Sequence, residues 1–94
     1  MIARPQFRVI RQESASLDFA SINAAASEDL TIVVPGAKIN DVTWLGLPAA
    51  PTAGLIYQPF VSAADTVTVR ATNITGSPVN AAAQTFSVMV GQLY

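Results

Sequence analysis

The sequence holds neither cysteine nor histidine. The first absence excludes a disulfide framework and any zinc site built on thiolates. The second removes the commonest metal ligand and the side chain that most readily changes charge near neutral pH. Charge is scarce too: 12% of the residues are Asp, Glu, Lys or Arg, about half of the roughly 25% usual in soluble domains. With a net charge of −1 there is no concentrated basic face, so no nucleic-acid partner is expected. Apolar runs such as LTIVVPGA (30–37) and WLGLPAAP (44–51) fall well short of the ~20 residues of a membrane-spanning helix. No apolar h-region follows Arg4, so the start does not read as a signal peptide. The expectation is a protein without a membrane partner, made in the cytoplasm and used or assembled there.

The 94 residues suffice for one domain whose core alone gives thin stability, so close packing or association with other chains must supply the rest. Short runs alternate apolar and polar residues with period 2 and are bounded by Pro, Gly, Asn and Asp. They are FRVI (7–10), SASLDFASI (14–22), LTIVVP (30–35), DVTWLGL (41–47), LIYQPFVS (55–62), DTVTVRATN (65–73) and TFSVMVGQL (85–93). Seven such runs predict an all-β fold: a single antiparallel β-sandwich, Ig-like or jelly-roll-like, over 13–94, with an N-terminal arm over 1–12. Val67, Val69 and Ala71 share one predicted strand face, as do Phe86, Val88 and Val90. Pro59 cannot donate to a ladder, so its strand should lie at an edge or carry a bulge. A projecting loop is expected over Gly76–Gln84, since the connection exceeds a tight hairpin turn.

Candidate chemistry is sparse. Glu28 and Asp29 are adjacent and would point to opposite faces of a strand, so they do not make an acid–base pair. Asn40 and Asp41 offer oxygens, but no loop of alternating Asp and Asn with a turn glycine accompanies them. No catalytic residue, metal site or cofactor is assigned. The triplet Asn73–Ile74–Thr75 matches an N-glycosylation acceptor without a secretory signal beside it.

Recognition is better represented. Residues 42–64 and 71–94, half of the chain, contain no Asp, Glu, Lys or Arg. Their polar positions are Thr, Ser, Asn and Gln, which can be covered by protein without the desolvation penalty of an ion. Trp44 is expected in the sandwich core, with an interface anchor as the alternative. Met89 falls opposite Phe86, Val88 and Val90, where a monomer would place something polar. Arg70 is the sole charge on a Thr-rich face, either solubilising an edge or bridging to a neighbour. Arg4, Arg8 and Arg11 are interleaved with Ile2, Pro5, Phe7, Val9 and Ile10, a pattern that favours an arm reaching a neighbouring surface over a disordered tail. The candidate interface residues are therefore Arg4, Phe7, Arg8, Arg11, Trp44, Arg70 and Met89, with the 48–54 loop beside them.

FVSAADTVTVRATNITGSPVNAAAQTFSVMV (60–90) resembles the ending of many short proteins encoded among the structural genes of tailed bacteriophages. In those proteins a VTVRxTN strand, a polar loop and a hydrophobic strand close the chain. The resemblance implies a virion component, resembling capsid cement or decoration proteins, which are small, β-rich and oligomeric. It would sit on the capsid exterior, bind the major capsid protein and its own copies as a homotrimer, and perform no catalysis. The alternative is an Ig-like tail or fibre module that recognises host glycans through Tyr57 and Tyr94.

Overall fold

A computed structural model describes residues 7–93. Six strands follow in chain order: β1 Phe7–Leu17, β2 Ser27–Val33, β3 Val42–Gly46, β4 Leu55–Ala63, β5 Thr66–Asn73 and β6 Gln84–Leu93. They form two three-stranded antiparallel sheets, β1-β6-β3 and β2-β5-β4. The result is a small β-sandwich without helix, as the period-2 pattern predicts. The last two strands in sequence are the central strand of each sheet.

Alternation supplies the core. Val67, Val69 and Ala71 of β5 face Phe86, Val88 and Val90 of β6 across the interlayer, and all six are buried. Ile32 and Val34 add to it from the β2 side, and Leu55 and Val61 from β4. Phe19, just past β1, fills the middle with Tyr57 and Phe86; the ring centroids lie 5.9 Å (Phe19–Tyr57), 6.2 Å (Phe19–Phe86) and 5.0 Å (Tyr57–Phe86) apart. Tilted and edge-on ring pairs of this kind add to plain area burial.

Three expectations need correction. The runs at 7–10 and 14–22 are not separate strands. Pairing with β6 runs unbroken from the first into the second as far as Leu17, with one irregularity between Val9 and Arg11 where Ile10 bulges out of register. The rest of the second run, 18–22, lies beyond the strand. Because 7–12 is the first half of β1, the arm expected over 1–12 does not include Phe7, Arg8 or Arg11. Its residues 1–6, Arg4 among them, lie outside the described residues. The connection from β5 to β6 does not project freely either. Val79 exchanges backbone hydrogen bonds with Ile22 at 2.9 and 3.0 Å, and Ala81 is buried, so the connection is pinned to the body between its exposed stretches at 74–78 and 82–83.

Asn73 organises that connection. It is 1% exposed, and its amide nitrogen donates to the carbonyls of Ile22 (2.9 Å) and Ser77 (2.8 Å). Its side-chain oxygen accepts from the Thr75 backbone N–H (2.8 Å) and hydroxyl (2.7 Å). Every hydrogen-bonding capacity of the amide is thus used, and a buried, fully engaged nitrogen cannot receive a glycan in the folded protein. Gly54 closes the same corner with φ of 87°; a Cβ there would approach Thr75 Cγ2 to 2.6 Å.

Pro59 lies on β4, an edge strand with a register shift between Val61 and Ala63, as its missing N–H requires. The Pro59 carbonyl accepts from the Thr43 hydroxyl at 3.1 Å, tying the β4 edge to the β3 edge of the other sheet.

Two outcomes are expected. Replacing Asn73 with Ala strands the carbonyls and N–H that it served, and urea unfolding should show a loss of about 2–4 kcal/mol, at or above the usual cost of an orphaned buried partner. Tyr57 behaves differently: its hydroxyl is buried without a well-formed hydrogen bond. Burial pushes its phenol above the ordinary value of 10, the nearby Thr52 side chain offsetting part of this. A group raised on folding favours the fold fully below its unfolded value, and that contribution is lost as pH rises through the folded value. Stability measured by denaturation should therefore fall above about pH 10, and Tyr57→Phe should flatten that limb while leaving stability near pH 7 at least unchanged.

Candidate functional site

Register decides which side chains reach the surface of the β1-β6-β3 sheet. Val88 and Val90 of β6 turn inward, so their partners Leu45 and Thr43 turn inward on β3. Met89 turns outward with Trp44 on one side and Gln12 on the other. The same alternation brings Val9, Gly91 and Val42 into one outward row, and Ser14, Ser87 and Gly46 into the next. The register sends Arg8, Arg11 and Glu13 to the opposite face of β1. The described outer face of this sheet therefore carries no ionisable side chain.

That face is apolar and open. Val9 is 49% exposed, Val42 41% and Trp44 42%, so Trp44 is not the core tryptophan that the sequence favours. Beside the ridge of Trp44 and Met89 lies a hollow of about 320 Å³ floored by Gly46, Ser87 and Val88. It exists because Gly46 has no side chain: a Cβ there would sit 3.4 Å from Ser87 Cβ. The hydroxyls of Ser14 and Ser87 bond each other at 2.9 Å. Their mutual bond lowers the cost of removing them from water.

The opposite outer face, on β2-β5-β4, differs. Arg70 lies on the central strand β5, not at an edge, and grips Asp29 of β2 with Nε–Oδ1 at 2.8 Å and Nη2–Oδ2 at 3.0 Å. Its guanidinium also lies 5.0 Å from the centre of the Phe60 ring, a stacking that Lys would not reproduce. The hydrogen bond from Arg70 holds the Asp29 carboxyl below its ordinary range, and Asp29 raises Arg70 in return. Arg70 is thus engaged within the chain.

Charges concentrate where backbone would otherwise lie open. On edge strand β1, Arg11 and Glu13 pair at 3.2 Å. On edge strand β2, Glu28 points inward and Asp29 outward, as adjacency on a strand requires. Inward-pointing charges and bulges at edges block pairing with another sheet. Glu28 has a cost, since its Oε2 is buried with no hydrogen-bond partner.

No arrangement of catalytic groups emerges among these residues. Asp41 accepts from the Lys38 backbone N–H and from Gln92 Nε2, both at 2.8 Å, which caps the turn bordering a second depression, of about 370 Å³ and mixed polar and apolar lining. Among the described residues no three His, Cys, Asp or Glu side chains gather as metal ligands, and no helix is long and apolar enough to cross a membrane. Tyr57 packs inward against Phe19 and Phe86 and offers no platform to a sugar; Tyr94 lies outside the described residues. The 48–54 loop is exposed at Ala49, Ala50, Pro51 and Ala53 and held by Gln84 Nε2 donating to the Ala50 carbonyl at 2.8 Å.

The structure thus brings Trp44 and Met89 together, sets Arg70 on the far sheet, and places Arg8 and Arg11 on β1. Val9, Val42 and Gly46 are absent from the candidate interface residues read from the sequence; Val42 and Gly46 share period-2 parity with Trp44 on β3, whereas Val9 joins them only through the pairing of β1 and β3 with β6. Replacing Glu28 with Val should raise unfolding free energy by about 1 kcal/mol, the lower end of the cost of a buried unsatisfied group. The same change should increase aggregation on heating, measured by light scattering, because it removes an edge guard. Comparison with protein families, curated proteins and solved structures found no match.

Proposed function

We propose that this protein is a non-enzymatic structural component whose exterior is covered by other protein in the assembled state, of the kind that reinforces a phage shell. The observation that carries the contact role is the outer face of the β1-β6-β3 sheet, without an ionisable group among the described residues and with Val9, Val42 and Trp44 each at least 41% exposed on it. A soluble surface normally intersperses both signs of charge, and contiguous exposed apolar groups mark contact sites. The assignment to a virion rests on the resemblance of residues 60–90 to endings of phage structural proteins. In that role the 48–54 loop and the basic start of the chain would meet the major capsid protein, with neighbouring copies covering the apolar face. Each contact would be modest, and linked copies would convert later contacts into intramolecular events.

The test uses expanded phage shells that lack this protein. The purified protein should co-sediment with them and raise their melting temperature. No association at low or physiological salt would refute the shell role. Removing residues 1–6, which leaves β1 whole, should weaken co-sedimentation; unchanged binding would take that segment out of the contact.

A further inference from the structure

We propose that the charge-free face of the β1-β6-β3 sheet binds the same face of a second copy of this chain, stacked about a two-fold axis. The proposal deepens the contact reading of that face and does not depend on the virion assignment.

Three observations select a second copy. The first is charge. In a two-fold contact every residue faces the same small patch of its twin, so any ion on the patch would lie close to a like ion. The described residues of this face carry none, although the edges and the opposite face of the same molecule do. A foreign partner imposes no such exclusion and commonly exploits opposite charge.

The second is shape. The Trp44–Met89 ridge and the Gly46–Ser87 hollow occupy successive rows of one face. Rotation about an axis between those rows sets each copy's ridge into the other's hollow. A patch holding a projection and its receptacle side by side is complementary to itself.

The third is the route left open. Arg11, Glu13 and the Ile10 bulge obstruct pairing along the β1 edge, Glu28 and Asp29 along β2, and Pro59 along β4. Edge-to-edge growth is thereby disfavoured along β1, β2 and β4, and the fourth edge, β3, is five residues long and tied to β4 by the Thr43–Pro59 bond. Face-to-face stacking at the usual ~10 Å between sheets meets no such device. The paired Ser14 and Ser87 hydroxyls go under cover with one of their two O–H donors already engaged.

The patch is small. Three strands about 4.8 Å apart, with outward residues every ~7 Å, give roughly 400 Å² per copy, about half the ~800 Å² of a standard stable interface. The dimer should therefore be weak and concentration-dependent, filling when copies are held close together.

Sedimentation equilibrium of the purified chain over a wide concentration range tests this. The average mass should rise from the 9.8 kDa monomer toward twice that value. Ser87→Glu, near the axis, should hold the protein monomeric at the same concentrations. An equimolar mixture of Ser87→Glu and Ser87→Lys should restore mixed dimers, and circular dichroism should report unchanged sheet content in both variants. A wild-type chain that stays monomeric up to ~1 mM, a concentration at which even contacts of millimolar strength are substantially populated, would overturn the proposal. So would a limiting mass of three copies, self-association of Ser87→Glu equal to wild type, or failure of the mixture to associate when both variants are folded. Shell co-sedimentation is read separately, so loss of the dimer with retained shell binding would overturn this proposal alone.

Discussion

The apolar interlayer between the two central strands supports everything else in this molecule. Val67, Val69 and Ala71 on one side and Phe86, Val88 and Val90 on the other are buried almost completely, and Phe19 and Tyr57 wedge into the same layer. Without a cysteine to form a disulfide, a chain of this size depends on that layer for its cohesion. The four outer strands take their register from the two central ones, so the placement of each surface residue follows from which way β5 and β6 turn.

That dependence gives the scarcity of charge two different causes. β6 is flanked by β1 along its length and by β3 over 87–91, so most of it has no edge to guard and needs no ions for that purpose. β3 and β4 lie close together, joined by the Thr43–Pro59 bond, and a proline does on β4 what a charge would do elsewhere. These features account for part of the uncharged half within the chain itself. They do not account for the exposure of Val9, Val42 and Trp44 on one sheet face, and this remainder is what the proposed contact with other protein would account for.

Ionic groups sit where their desolvation is slight or where they obstruct misassociation. Arg70 and Asp29 form a fork on an open face, where solvent screening keeps such a pair inexpensive and of little consequence for stability. Glu28 is the exception, with an oxygen buried and unpartnered. An unfavourable residue on an edge strand is intelligible as specificity against pairing, gained at some loss of stability.

The chain's own pattern was enough for the all-β class, for the inward row of each central strand and for the edge position of Pro59, because strand parity and the missing proline N–H are local properties. It was also enough to place Met89 opposite the buried row of β6. It could not orient Trp44, since β3 has apolar residues on both faces and parity alone does not say which is covered. Nor could it reveal that the first two runs are one bulged strand, that Asn73 is a buried hub, or that Arg70 meets Asp29 from 41 residues away. Those depend on pairings between distant segments, and only the register of the folded sheets fixes which side chains share a face and which meet water.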